Sequence, residues 1–338
     1  MIKRVSPFYK SEWVDAIKTY LQNYEFWHEG IISEFEKMTA SHIKRKYGLA
    51  TNSTSSSIFM CLYVWSKMHP DKNEVIIPNW GYPASFKTCN VLGLTPIPVD
   101  IDETLCMNEI GVYKALTSKT LAVIHSENNG VIGNPQAIKA ILNPNILFIE
   151  DCAPSFIQEA AGECGDVSMF SFSPTKPLMA GEGSCIVMDN DILYEKLKKF
   201  RYIGDFNNKE LSLNFNMSPF LAAFLIPQFD YINYIIEKRE WIHNEYKKYI
   251  NIFDEGEGKN RHGSIMYLSK KANIIHQKLN LFKVENRYKY YPCYSMDRNK
   301  FSGAHKVRDE IIDLPINYDL TVEQIKFICD IIRRVESD

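Results

Sequence analysis

The sequence predicts an α/β fold, with a mostly parallel central sheet covered by helices on both faces and a smaller C-terminal α+β domain. Three observations predict it. Short apolar runs alternate with stretches long enough for helices as far as Met188. Several of these runs end in Asp, Glu or His rather than continuing. Beyond about residue 250 the chain becomes richer in Lys, Asn and Tyr.

Glu74–Ile77 is a short apolar run closed by Pro78, and Thr95–Val99 is another, ending at Asp100. Leu121–Ile124 precedes His125, and Ile146–Ile149 precedes Glu150-Asp151. Val167–Phe172 and Cys185–Met188 complete the strands. Helices are expected over Ser55–Met68, Ala84–Leu92, Met107–Leu116 and Pro135–Leu142. Buried strands separated by helices specify a mostly parallel sheet, and ligands collect beyond the carboxyl ends of such strands. Asp100, His125 and Asp151 fall there. Turn chemistry alone also puts such residues at strand ends. From Pro219 to Ile250 the pattern is one long helix that Pro227 kinks or interrupts. A last helix is expected over Thr321–Arg334. The 338 residues suffice for two domains, placed at 1–250 and 251–338.

Composition narrows the function classes. A net charge of −2 implies no polyanion-binding face, so no nucleic-acid partner is expected. The basic clusters Lys44-Arg-Lys46 and Lys196-Leu-Lys-Lys199 read as solvated helix faces. No apolar stretch approaches the roughly 20 residues that span a bilayer, and Met1–Pro7 lacks an apolar signal core. A cytoplasmic protein with no membrane partner is expected. The eight cysteines form no Cys-x-x-Cys pair and read as small buried hydrophobes in a reducing compartment. The scattered histidines give no reason to expect a metal.

The chemistry centres on Lys176. It lies in Ser171-Phe-Ser-Pro-Thr-Lys176, ahead of Gly181-Glu-Gly183, and upstream Ile146–Ile149 ends in Glu150-Asp151. A lysine after one strand and an acid at the end of an earlier one are what pyridoxal 5'-phosphate (PLP) requires. The amine condenses with the cofactor aldehyde, and the acid keeps the pyridine nitrogen protonated. Thr51-Asn-Ser-Thr-Ser-Ser-Ser57 runs directly into the helix pattern. This is either a multiply capped helix or a phosphate cradle at a helix N-terminus. Trp80-Gly-Tyr82 puts aromatics beside the same region, for core packing or for stacking on a flat cofactor. No glycine-rich dinucleotide or P-loop motif occurs.

These residues together carry a resemblance to the DegT/DnrJ/EryC1 family of PLP-dependent sugar aminotransferases, which have the fold type I architecture. The likeness runs from about Gly30 to about Gly204 and resumes at Leu213–Pro219 and at Leu314-Pro-Ile. Ile149-Glu-Asp-Cys-Ala153 resembles the family's cofactor-nitrogen motif, and Phe170–Lys176 with Gly181-Glu-Gly183 resembles its lysine motif. The resemblance implies that Lys176 forms the internal aldimine and shuttles the proton, and that Asp151 pairs with the pyridinium nitrogen. It implies that Tyr82 stacks on the ring and that Thr54, Ser55 and Ser171 bind the phosphate. Asn214 is implied to reach the partner subunit's site, since family members are homodimers with shared sites. The implied reaction moves an amino group from L-glutamate to a keto group of a nucleotide-linked deoxy sugar through pyridoxamine phosphate, and family products usually enter surface polysaccharides. Pro154 stands where the family usually has glutamine, and Asn216 where it commonly has a basic residue. His125–Gly133 is longer than the usual turn. Those departures leave a second reading, a relative that binds PLP or sugar nucleotide without turnover. The family's sugar dehydratases carry histidine in place of the lysine, so Lys176 speaks against that chemistry.

Overall fold

The computed structural model describes residues 1–6, 8–22, 30–202, 211–254 and 263–338. Gly204, near the end of the first resembling segment, lies outside these. Two helices, α1 (Glu12–Gln22) and α2 (Ile31–His42), precede strand β1 (Tyr47–Thr51). Then follow α3 (Thr54–Met68), β2 (Glu74–Pro78), α4 (Ala84–Val91), β3 (Thr95–Val99), α5 (Glu109–Ala115) and β4 (Thr120–Ser126). Next come α6 (Pro135–Ala140), β5 (Leu147–Asp151), β6 (Val167–Ser171), β7 (Ser184–Met188) and α7 (Asp191–Arg201).

The strands form one seven-stranded sheet in the order β1-β7-β6-β5-β4-β2-β3. Strands β3, β2, β4, β5 and β6 are parallel to one another; β7 runs antiparallel between β6 and β1. Every residue of β4 to β7 is buried, as a sheet covered on both faces requires. Alternation along the strands divides the core. Val75, Ile77, Ile124 and Ile149 pack with Ile58 and Leu62 of α3, whereas Ile76, Val123 and Phe148 pack with Val112 of α5 and Ile138 of α6.

Strand β1 has no counterpart among the expected strands. Gly48, Ala50 and Thr51 deny it an apolar run, and its register comes from distant partners, Tyr47 opposite Met188 through Thr51 opposite Ser184. A side chain at Gly48 would put its Cβ 2.3 Å from the Glu36 carbonyl of α2, so only glycine lets the helix lie this close. The reading of Lys44–Lys46 as a helix face is corrected. These residues form the turn into β1, and the Arg45 fork donates to the carbonyls of Gly162 (2.7 Å) and Gly165 (2.9 Å) and to Asp189 (2.8 Å). Lys196, Lys198 and Lys199 do lie exposed on α7.

The long helix is broken where proline removes an N–H. Helix α8 (Pro219–Leu225) passes through a 3-10 turn (Ile226–Tyr231) that contains Pro227, then into α9 (Ile232–Lys247). The C-terminal residues build a second sheet, β8 (Ile265–Leu268), β10 (Ile311–Leu314) and β9 (Arg287–Tyr288) in that order, all antiparallel. Helices α10 (Ala272–Leu281), α11 (Ser302–Glu310) and α12 (Val322–Ser337) accompany it. Thr321 closes a reciprocal capping box with Gln324 at the start of α12.

Candidate active site

The last residues of the parallel strands β4, β5 and β6 open into a cavity of about 310 Å³. Register puts Ser126 of β4 beside Asp151 of β5, and the adjacent β6 ends at Ser171. All three line the cavity. Alternation along β5 separates the two acids of the Glu150-Asp151 pair. Glu150 turns to the 164–168 turn and accepts from Cys164 N (2.9 Å), Ser168 Oγ (3.0 Å) and Gly165 N. Asp151 turns to the cavity and, among the described residues, accepts only from Ala153 N, at 3.2 Å.

Lys176 sits in the turn after β6, where its amide donates to Ser173 O at 3.0 Å. It lines the same cavity as Asp151. Desolvation pulls the lysine down to about 8, Asp151 opposes that pull, and Arg287, Arg4 and Arg239 add to it. Desolvation pushes the Asp151 carboxyl above its ordinary range, and Lys176 draws it back.

The hydroxyl run resolves into two roles. Ser53 caps α3, with its Oγ accepting from Ser56 N at 3.2 Å. Ser57 is locked between Thr51 Oγ1 (2.7 Å) and Ser184 Oγ (3.1 Å). Thr54 and Ser55, in the first turn, are left for the cavity. Thr54 Oγ1 is buried with no hydrogen-bond partner among the described residues, an arrangement that costs about 1–3 kcal/mol unless something polar arrives. Among the described residues, Ser171 Oγ accepts only from Ser173 N, at 3.3 Å, and donates to none. A helix N-terminus with a spare buried hydroxyl fits a phosphate. The lysine and acid lining the same cavity fit the aldehyde and ring nitrogen of PLP.

Tyr82 lies at the mouth, 54% exposed, with its backbone held by Tyr294 Oη on the carbonyls of Gly81 and Tyr82 (2.9 Å each). Trp80 is buried instead against Tyr291. Asn214 is exposed and does not line this cavity; its Oδ1 accepts from Asn216 Nδ2 at 3.1 Å. The other strand-end residues serve the fold. Asp100 accepts from Gly303 N (2.9 Å) and Ala304 N (2.8 Å) at the start of α11, and His125 Nε2 meets Ile132 O at 2.7 Å.

Sequence reasoning missed Glu127, Asn129, Arg287 and Tyr291, which also line the cavity. The unusual length of 125–133 was the one available signal for the first two. Arg287 and Tyr291 arrive from the second sheet, and nothing in their local sequence announces it. Glu127 is fully buried, and its carboxyl is pushed well above the usual range by burial first and by Glu150 second.

Comparison with known proteins agrees with this geometry. The sequence profile of the DegT/DnrJ/EryC1/StrS aminotransferase family matches residues 8–333. GDP-perosamine synthase of Escherichia coli O157:H7 is 25% identical over 359 aligned residues, which cover 97% of this chain and 93% of that protein. A Bacillus subtilis 3-oxo-glucose-6-phosphate:glutamate aminotransferase is 26% identical over 324 residues, covering 87% and 73%. Among solved structures, Helicobacter pylori PseC, an aminotransferase involved in pseudoaminic acid biosynthesis, superposes with a TM-score of 0.87 at 20% identity, covering 99% of each chain. The fold is that of the fold type I PLP-dependent transferases. The chain belongs to the DegT/DnrJ/EryC1/StrS aminotransferase family, and its cofactor is PLP.

Proposed function

We propose that this enzyme moves an amino group from L-glutamate to a keto group of a nucleotide-linked deoxy sugar. One observation carries the reading: Lys176 and Asp151 share a cavity with a helix N-terminus whose Thr54 hydroxyl is buried and unpartnered among the described residues. The sugar substrate is supported by the relatives, GDP-perosamine synthase among them, and the donor by the glutamate-dependent Bacillus relative.

When bound, PLP supplies an electron sink that stabilises a carbanion at the carbon bearing the nitrogen. The residues do the rest. Thr54, Ser55 and Ser171 would hold the phosphate. Asp151 would keep the ring nitrogen protonated, and Tyr82 would pack against the ring. Lys176 would serve as the base that moves the substrate proton. A base for that task works best with a pKa near the operating pH, and burial has already brought Lys176 to about 8. The same reading takes residues 1–250 as the cofactor-binding part and 251–338 as the smaller one. It makes the enzyme a cytoplasmic homodimer in which Asn214 serves the partner's site. The eight free cysteines support a reducing compartment.

The test is an absorbance spectrum of the PLP-loaded protein before and after L-glutamate. Conversion of the visible band to the shorter-wavelength pyridoxamine form is expected, followed by its recovery on addition of a nucleotide-linked keto sugar. A band that neither L-glutamate nor another amino acid changes would overturn the proposal.

A further inference from the structure

Tyr82 stands at the cavity mouth on a loop that is held from the far end of the chain. Strand β2 ends at Pro78, and the chain continues through Asn79, Trp80 and Gly81 to Tyr82. The large sheet supplies one tie, Asn79 N to Val99 O at 2.7 Å. Residues 293–295 supply several more. Ser295 N donates to Asn79 Oδ1 (2.7 Å), and Asn79 Nδ2 donates back to Ser295 O (3.3 Å). Tyr294 N donates to Asn79 O at 3.0 Å, and Trp80 bridges antiparallel to Cys293. Asn79 is fully buried, so its side-chain amide needs these partners. From α11, His305 Nε2 meets Ser295 O at 3.0 Å and steadies the strap in turn.

Tyr294 is the residue of the strap that reaches the tip of the loop. Its Oη lies 2.9 Å from the carbonyls of both Gly81 and Tyr82 and shares its one proton between them. Its ring lies flat on Phe86 of α4, with centroids 4.7 Å apart and planes 3° apart. Burial first, and Asp151 second, push the phenol's pKa up, so the hydroxyl stays a donor to the two carbonyls. The Tyr82 side chain is exposed, with no hydrogen bond or ring contact of its own among the described residues. Its placement therefore depends on its backbone, and Tyr294 is what grips that backbone at the carbonyl.

We propose that Tyr294 is a positioning residue for the transamination: by gripping the Gly81 and Tyr82 carbonyls it keeps the Tyr82 ring in place for the cofactor. The inference rests on the reading in which Tyr82 packs against PLP, and it assigns the residue that keeps Tyr82 there. A loop free to swing would have to be ordered each time the cofactor bound, and ordering it beforehand strengthens binding.

The test is a double-mutant cycle on the full chain. It is read by PLP titration of the cofactor-free protein and by visible-region circular dichroism of the bound cofactor. Tyr294→Phe removes one hydroxyl and keeps the stack on Phe86. It is expected to weaken PLP by about 3- to 10-fold, the worth of one hydrogen bond, and to alter the dichroic band. In a Tyr82→Ala background the same substitution should change PLP affinity by less than about twofold. Phe86→Leu loosens the phenol without removing it. It should act in the same direction, and it takes the place of Tyr294→Phe in the cycle if that variant fails to fold. Equal losses with and without the Tyr82 ring mean that the strap acts independently of Tyr82, which overturns the proposal. So does a Tyr294→Phe protein with the parent's PLP affinity and dichroism. If Tyr82→Ala alone leaves both readouts unchanged, Tyr82 does not pack on the cofactor. That assignment then fails and this proposal with it, while the visible band formed by Lys176 still judges the PLP reading.

Discussion

Asp151 and Lys176 face one cavity from consecutive strands, and each sets the other's charge. Burial drives both toward neutrality, raising the acid and bringing the lysine down to about 8, while their mutual attraction pulls both back toward the ionised pair. The lysine is therefore tuned near neutral pH before any cofactor arrives.

The loss of Lys176 should be total. Borohydride reduction of the PLP-loaded parent is expected to fix the cofactor to the peptide carrying Lys176, as read by mass spectrometry. Lys176→Ala should show no such adduct and no transamination. A fully active Lys176→Ala variant would sink the assignment.

Capture of PLP by the cofactor-free protein should report the tuned lysine directly. Only the neutral amine attacks an aldehyde. With a pKa of about 8, about a tenth of the amine is neutral at pH 7; at lysine's ordinary value it would be about one part in three thousand. The rate should climb about tenfold per pH unit below 8 and level off above it. Asp151→Asn removes the charge that holds the lysine up, so the plateau should start at lower pH. Turnover in that variant should fall by about 10²- to 10³-fold, because the ring nitrogen loses its anionic partner. A profile that stays fixed on this substitution means that the two groups are not coupled.

On the proposed reading, the hydroxyls at the start of α3 should separate into structural and cofactor-binding residues. Ser53 Oγ holds the Ser56 amide, so Ser53→Ala should cost about 1 kcal/mol of stability with or without PLP. Thr54 Oγ1 holds nothing, so Thr54→Val should leave the cofactor-free protein as stable or more so. Its PLP affinity should fall by roughly tenfold or more, the worth of one charge-assisted hydrogen bond. Thermal unfolding with and without PLP distinguishes the two. Equal loss of stability from both variants would refute the division.

Much of this was legible in the sequence, for physical reasons. Strands β4 to β7 read as mainly apolar runs because both faces of the sheet are covered there, and the polar ends of β4, β5 and β6 mark the ligand side. Lys176, Asp151, Thr54, Ser55, Ser171 and Tyr82 meet in one cavity because each lies within a few residues of such an end or of a helix N-terminus. What stayed hidden depends on distant partners. Strand β1 owes its existence to β7 and to the missing side chain of Gly48. Arg4 and Arg287 reach Lys176 through pairings of the chain start with Glu285 and Ile316, which no local pattern encodes. The choice of Asp151 over Glu150 rested on the family resemblance alone; the physical reason, a turn that claims Glu150, needed the structure.

The last prediction concerns Glu127, buried on the cavity wall beside an acid cluster. Its Oε1 accepts from Cys152 Sγ at 3.4 Å; burial raises the Glu150 carboxyl too, but the Gly165 amide, the Ser168 hydroxyl and the Cys164 amide draw it back toward its charged form. Two charges cannot share that space cheaply, and burial with Glu150 raises Glu127 well above its ordinary value, so Glu127 carries the proton. The sign of the pH effect follows. With the folded value above the unfolded one, the folded protein binds more protons across the interval between them, so stability falls as pH rises through it. Glu127→Gln keeps the shape and the neutral state and removes the titration. The variant should match the parent at low pH, equal or exceed it at pH 8, and lose less stability between. Denaturant unfolding across that range decides the point. A variant destabilised most at high pH would mean that Glu127 is ionised and that Glu150 holds the proton.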